Sequence, residues 1–79
     1  MNQIVEVLNN CDVAYFDGMS LGWFFDDEEN TITFNDHFGD VLFTVFNEIQ
    51  FTFNNSELCF TLENGMNVQL DLYNLQRIS

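Results

Sequence analysis

The chain contains no lysine and a single arginine, Arg77, against thirteen Asp and Glu in 79 residues. The formal net charge is −12 and the isoelectric point is about 4.1. Because the sequence has no basic patch, we expect no direct binding to DNA or RNA and none to an anionic membrane. Folding brings the like charges together, and their repulsion opposes compaction. The acidity therefore costs stability, and we expect a partner to account for it.

Proline is also absent, and cysteine occurs only at Cys11 and Cys59. Two distant cysteines without a CxxC spacing form neither a disulfide framework nor a redox motif. The first residues lack the basic start and the apolar run of a signal peptide, and no stretch has the length of a transmembrane helix. We therefore expect a cytoplasmic protein with two reduced thiols.

Hydrophobic residues make up 47% of the chain and ten of them are Phe, so the high charge does not indicate disorder. The length predicts one domain over residues 1–79. Near the start, Ile4 and Leu8 recur at helical spacing. This spacing predicts a short helix over residues 3–9 with Asn2 available as its cap, although the β-branched Ile and Val residues also admit a strand.

The rest of the chain alternates apolar and polar residues between turn residues, which predicts antiparallel strands. Asp17 and Gly18, between two apolar runs, are a strong signal for a type I′ hairpin because both turn positions need positive φ. The acidic turn over residues 26–30 predicts a second hairpin. The predicted strands cover residues 13–16, 20–25, 31–34, 40–47, 48–53, 58–63 and 67–72.

Two loop lengths set the register of the last three predicted strands. A four-residue loop over residues 54–57 and a three-residue loop over residues 64–66 bring the apolar residues to one face. The predicted opposed pairs are Phe53–Leu58, Phe51–Phe60, Ile49–Leu62, Leu62–Val68, Phe60–Leu70 and Leu58–Leu72. On the other face, Glu48 then opposes Glu63 and Cys59 opposes Asp71.

Two segments, residues 23–25 and 40–47, carry apolar side chains on both faces, which indicates either two-sided burial or an exposed patch. Trp23, Phe43 and Tyr73 are candidates for exposed interface aromatics, with core packing as the alternative. The predicted fold class is α+β: a strongly bent antiparallel meander of six to seven strands with one short N-terminal helix.

Residues that would mark an enzyme are missing. His37 is the only histidine, and together with Asp36 and Asp40 it offers too few ligands for a metal site. The acidic turn lacks the ligand spacing and the central glycine of a calcium-binding EF-hand loop. Neither a nucleophile–base pair nor a phosphate-binding glycine loop can be drawn. We therefore expect no enzymatic activity, no cofactor and no metal site.

Ten of the carboxylates form two candidate arrays for binding a partner. Same-face residues along a strand lie roughly 6.5 to 7 Å apart and opposed residues about 5 Å apart, while DNA carries a phosphate about every 3.4 Å per strand. The spacings are of the same order, so a rigid sheet can present a phosphate-like charge pattern; an acidity that serves only solubility is the alternative. The first array is Glu48, Glu57, Glu63 and Asp71, and the second is Asp26, Asp27, Glu28, Glu29, Asp36 and Asp40.

In size, in charge and in its lack of a catalytic motif, the chain resembles the small acidic inhibitors made by phages and mobile elements. These include anti-CRISPR proteins, anti-restriction proteins and the inhibitor of uracil-DNA glycosylase. The resemblance is one of composition over the whole chain and rests on no sequence motif. It implies a stoichiometric nucleic-acid mimic that blocks the basic site of a nuclease or CRISPR effector, in the host cytoplasm if a phage encodes it. The alternatives are an immunity protein against a basic toxin nuclease and a dimeric interaction module built on the two-sided apolar strands.

Overall fold

The computed structural model describes residues 3–73, which form one helix and seven strands. Within these residues, no helix has the length and hydropathy that a membrane span requires. The elements in chain order are α1 (Ile4–Asn9), β1 (Val13–Phe16), β2 (Met19–Asp26), β3 (Thr31–Asn35), β4 (Val41–Phe46), β5 (Phe51–Asn54), β6 (Glu57–Thr61) and β7 (Asn67–Tyr73).

The strands form one sheet in the order β4-β3-β2-β1-β7-β6-β5, and all neighbours are antiparallel. The sheet curls into a half-barrel, so the predicted strong bend and strand number are confirmed. The class is mostly β and not clearly α+β, because the helix has only six residues. Strand β2 pairs with β1 through residues 19–21 and with β3 through residues 22–26, and this division lets the sheet bend.

Two tight turns with positive φ values join neighbouring strands of the sheet. Asp17 and Gly18 have φ values of 56° and 80°, which confirms the predicted I′-type hairpin between β1 and β2. Asn55 and Ser56 have φ values of 53° and 69° and join β5 to β6. The predicted four-residue loop at this second site was wrong, because Asn54 and Glu57 already pair as the last rung.

The register of β5 and β6 was predicted correctly, with Phe51 opposite Phe60 and Phe53 opposite Leu58. The register of β6 and β7 was wrong by two residues, since Leu58 opposes Leu70 and Phe60 opposes Val68. The pairs Ile49–Leu62 and Glu48–Glu63 fall outside the ladder because β5 begins only at Phe51.

The loop between β6 and β7 explains the register error. It spans residues 62–66 and is closed by the N–H of Leu62 donating to the carbonyl of Met66 at 2.9 Å. Gly65, with φ of 90°, donates back to the carbonyl of Leu62 at 2.9 Å. A two-residue slip keeps every side chain on its own face, so alternation alone does not detect it. As a result Cys59 opposes Gln69, and Glu57 opposes Asp71.

The core lies on the concave side of the sheet. Three of its rings pack together, with Phe34 centred 5.2 Å from Phe43 and 6.2 Å from Phe60. Phe43 is therefore a core residue and not an exposed anchor, whereas Tyr73 is exposed and Trp23 is half-buried. Burying such large rings supplies much of the hydrophobic stabilisation in so short a chain.

Helix α1 is confirmed over Ile4–Asn9, and its first turn is held by a distant asparagine. The N–H of Ile4 donates to the backbone carbonyl of Asn47 at 3.0 Å, and the N–H of Val5 donates to Asn47 Oδ1 at 2.9 Å. Asn47 is only 2% exposed, and its Nδ2 donates to Asn30 Oδ1 at 3.2 Å. The predicted cap, Asn2, lies outside the described residues. Asn47 thus satisfies helix N–H groups that would otherwise lack partners.

Candidate partner-binding surface

All thirteen carboxylates lie within the described residues, and eleven of them are exposed. The two exceptions, Asp26 and Asp36, are partly buried. Residues 3–73 include no lysine or arginine, because the single arginine of the sequence, Arg77, follows them and the sequence has no lysine. The described surface therefore offers these carboxylates no Lys or Arg side chain as an ion-pair partner.

Two strands bring one pair of carboxylates together on the convex face of the sheet. Glu57 of β6 lies directly opposite Asp71 of β7, and both side chains are exposed. Directly opposed side chains in such a ladder lie about 5 Å apart, and like charges there destabilise the sheet. We call Glu57 and Asp71 the outer-face acidic pair.

Two tyrosines extend the row that contains this pair. Tyr15 of β1 lies opposite Asp71 on the other side of β7. The ring of Tyr15 meets the ring of Tyr73 edge-on, with centroids 5.3 Å apart and an angle of 78° between the planes. The convex face thus combines two exposed carboxylates with two aromatic rings that each carry a hydroxyl.

Glu48 and Glu63 do not oppose each other in a ladder, but both line one groove of about 900 Å³. Its walls are residues 43–46 of β4 on one side and residues 61–64 at the end of β6 on the other. We call this the β4 groove. It also reaches Asn30, which ends the acidic turn between β2 and β3.

The partly buried acids have a role in their own loops. Asp26 Oδ1 accepts the N–H groups of Glu28 at 3.0 Å and Glu29 at 3.2 Å. Asp36 Oδ1 accepts the N–H groups of Phe38 and Asp40, both at 2.9 Å. Such side-chain bonds stabilise tight turns, so these two carboxylates are explained by the fold itself.

The structure therefore divides both predicted arrays. In the second array, residues 26–29 and the Asp36–Asp40 loop lie at opposite ends of β3, which at five residues is about 16 Å long. In the first array, Glu57 begins β6 and Glu63 follows its end. The juxtapositions that the ladder and the groove give are Glu57 with Asp71, and Glu48 with Glu63.

His37 and Cys11 make local contacts with their neighbours in the chain. His37 is exposed, and its ring centroid lies 4.2 Å from that of Phe38. Cys11 donates its Sγ–H to the carbonyl of Leu8 at 3.3 Å, and burial, with the nearby charge of Asp12, raises the pKa of this thiol. Among residues 3–73, no three His, Cys, Asp or Glu side chains are grouped as metal ligands.

Exposed apolar side chains lie on β4, the edge strand beside the β4 groove, and on β2, two strands away. Val41 and Phe46 of β4 are 63% and 61% exposed, and Phe24 of β2 is 61% exposed. The sequence signal for them was the two-sided apolar pattern of residues 23–25 and 40–47, for which an exposed patch was one of the two interpretations. The ladder places Phe24 in line with Thr33 and Phe46 in line with Thr31, on the face opposite the buried Ile32 and Phe34.

Comparison of the chain with protein-family models, with curated proteins and with solved structures finds no match.

Proposed function

We propose that this protein is a stoichiometric inhibitor whose acidic surface mimics the phosphates of a nucleic acid and occupies the basic binding site of a nucleic-acid-processing protein. A nuclease or a CRISPR effector is the class of target we propose. The protein performs no chemistry in this proposal. It acts by competing with DNA or RNA for the same cationic side chains.

The outer-face acidic pair is the observation that carries the proposal. A sheet shaped only by stability places opposite charges across a ladder, because directly opposed like charges are unfavourable. Here Glu57 and Asp71 are opposed and exposed, and the described residues include no lysine or arginine to separate them. A partner that supplies cationic side chains would relieve the repulsion between Glu57 and Asp71, and this relief would favour binding.

The mechanism has two stages. A net charge of −12 attracts a basic cleft and speeds encounter at a range of about 8 to 10 Å in physiological salt. After contact, Arg or Lys side chains of the target form charge-assisted hydrogen bonds with the carboxylates and lose their access to phosphate. The rigid sheet holds the outer-face acidic pair in place, so little ordering is required on binding.

The test begins with capture of a target from a nuclease-rich lysate, followed by an activity assay on the purified target with DNA as competitor. We expect inhibition at a one-to-one ratio, relief by excess DNA, and an association rate that falls on the order of tenfold between low and physiological salt.

Charge-reversal variants supply the decisive comparison. The single changes Glu57→Lys and Asp71→Lys, and the pair Glu48→Lys with Glu63→Lys, are compared with Glu6→Lys, an exposed helix acid outside the candidate set. Reversal within the candidate set should weaken inhibition far more than the same change at Glu6. Inhibition that survives reversal at all four positions would exclude mimicry.

The exposed apolar edge favours a second candidate function, that of a dimeric interaction module. Val41 and Phe46 on an edge strand are the kind of surface that self-associating sheets use. Light scattering over a wide concentration range separates the two candidate functions. A change from the monomer mass to the dimer mass as the concentration rises supports the interaction module, and a constant monomer mass supports the inhibitor.

A further inference from the structure

The edge of β4 offers free backbone groups next to the β4 groove. In the sheet order, β4 is the last strand on its side among the described residues. The N–H of Asn47 donates to the carbonyl of Asn30 at 2.9 Å, one step beyond the rung formed by Thr31 and Phe46. Because bonding alternates along an antiparallel pair, the backbone groups of Phe46 and Thr44 point away from β3. The carbonyl of Phe46 accepts the N–H of Ile49 at 3.0 Å, which leaves the N–H groups of both residues and the carbonyl of Thr44 for a new strand.

The second half of this edge is regular and unprotected. A register shift between Phe34 and Asn35 interrupts the ladder only near the start of β4. Natural sheets guard their edges with lysine, proline or bulges, and this chain has neither lysine nor proline. The N–H groups of Thr44 and Phe46 are thus presented as a template for another strand.

The groove beside this edge has an apolar lining and an acidic rim. Val45, Ile49 and Leu62 line it, and Glu48 and Glu63 are exposed at the same groove. An extended segment that lies along β4 would place alternate side chains over the apolar lining and toward the carboxylates, because side chains alternate along a strand.

Charge decides between the possible occupants. A second copy of this chain would bring another −12 charge to the site and repeat Glu48 and Glu63 across the interface. A segment with lysine or arginine at alternate positions would instead neutralise both carboxylates. Main-chain hydrogen bonds would give such a segment affinity, and the alternate side chains would give it specificity.

We propose that the β4 groove docks an extended segment of the target in which apolar residues alternate with Lys or Arg, added as an eighth strand along β4. This inference rests on the proposed function, since it names a second contact with the same basic target. It predicts that binding involves backbone pairing as well as charge.

The test uses a synthetic peptide of about eight residues, in which valine alternates with arginine, long enough to cover one strand. Binding is measured by fluorescence anisotropy of the labelled peptide in physiological salt, and its position by amide shifts in NMR spectra. We expect the largest shifts at Thr44 and Phe46 of β4, with little change at Thr52 and Phe53 on the opposite edge, β5.

Two control peptides separate strand addition from charge attraction. Two methylated versions of the peptide carry N-methyl groups at alternate residues, one at the valines and the other at the arginines. Each keeps the charge but loses half of its backbone N–H donors. At least one of the two should bind far more weakly than the parent peptide. A valine–glutamate peptide should not bind. Equal binding of the parent and both methylated peptides, or shifts confined to β5, would overturn the proposal.

Protein variants provide an independent arm. The double variant E48Q/E63Q should weaken the parent peptide roughly five- to tenfold, since two partly exposed charge pairs are lost. The matched control E57Q/D71N removes the same charge on the convex face and should change affinity much less. Equal losses in the two variants would show that only net charge matters and would contradict a groove site.

The failures of the two proposals can be told apart. If the peptide does not bind the groove while charge reversal at Glu57 and Asp71 still abolishes inhibition, the groove proposal is wrong and the proposal of nucleic-acid mimicry is supported. If the peptide binds the groove but reversal at Glu57 and Asp71 leaves target inhibition intact, docking stands and mimicry by the outer-face acidic pair is wrong. A peptide-independent dimer seen by light scattering, with β4 shifts on dilution, would assign the groove to a second copy.

Discussion

The Asp36–Asp40 loop and the convex face of β6 and β7 both carry acidic side chains, but in different physical settings. Asp36 accepts two N–H groups of its own loop, and the turn closes around its carboxylate. Glu57 and Asp71 stand opposite each other on regular strands and are exposed. One carboxylate has its partners inside the loop, and the other two face a like charge.

This difference gives a way to sort an acidic protein's carboxylates without any knowledge of its partner. An acid that organises a turn is explained by stability, and its removal should cost stability. An acid that opposes another acid is not explained by stability, and its removal should improve it, as is common for residues kept for function.

The largest effect should come from Asn47, the buried polar residue that the fold uses most. Asn47→Ala removes the acceptor of the Val5 N–H and the donor to Asn30, at a site that is 2% exposed. We expect the free energy of unfolding to fall by about 2 to 3 kcal/mol, the cost of leaving buried polar groups without partners. Urea denaturation measures it.

Asn54→Ala is the matched control for this variant, because Asn54 is exposed at the end of β5. It should change stability by less than about 0.5 kcal/mol, as surface substitutions usually do. Equal losses for the two variants would mean that Asn47 does not anchor the helix to the sheet.

A smaller loss is expected at Asp36. Asp36→Ala removes the oxygen that accepts from Phe38 and Asp40, which should destabilise the protein by about 1 kcal/mol, as for a lost capping side chain. Asp36→Asn keeps an acceptor oxygen and removes only the charge. If Asp36→Asn lowers the free energy of unfolding as much as Asp36→Ala does, the turn depends on the charge and not on the hydrogen bonds.

The outer-face acidic pair should respond in the opposite direction. Glu57→Gln and Asp71→Asn should each raise the free energy of unfolding by about 0.2 to 1 kcal/mol, because each removes the repulsion across the rung. The double variant should gain less than the sum of the singles, since the repulsion can be removed only once. The gains should shrink in high salt. A loss of stability in the single variants would place the pair among the structural acids.

Local signals in the sequence predicted the elements well. Asp17 with Gly18 predicted the first hairpin because few residues other than Gly, Asn and Asp adopt positive φ easily. The alternation of apolar and polar residues predicted the core faces of β6 and β7, and helical spacing predicted α1. On β5 the alternation was only partly right, because Phe51 packs against the core but Phe53 is 51% exposed. Each of these signals acts within a few residues, so one sequence is enough to read it.

The features that depend on distant parts of the chain were not predictable in this way. A two-residue slip between β6 and β7 preserves both faces, and only the closure of the loop at Leu62 and Met66 fixes it. The pairing of β1 with β7 and the bond from Val5 to Asn47, 42 residues away, are also long-range. The outer-face acidic pair and the β4 groove depend on these long-range contacts. The sequence therefore predicted the candidate acids, but neither the rung that sets Glu57 opposite Asp71 nor the groove that Glu48 and Glu63 line.

The smallest effect on stability is expected at the thiol of Cys11. Cys11 donates to the carbonyl of Leu8, and burial, assisted by the charge of Asp12, raises the pKa of its thiol above the ordinary 9.0. The folded state then holds the thiol proton more tightly than the unfolded chain does. The resulting stability is complete below the unfolded pKa and is lost as the pH rises through the folded pKa. In a Cys59→Ser variant, which isolates Cys11, the alkylation rate should rise with pH at a higher midpoint in buffer than in concentrated urea. A midpoint in buffer at or below that in urea would show that the fold does not favour the neutral thiol.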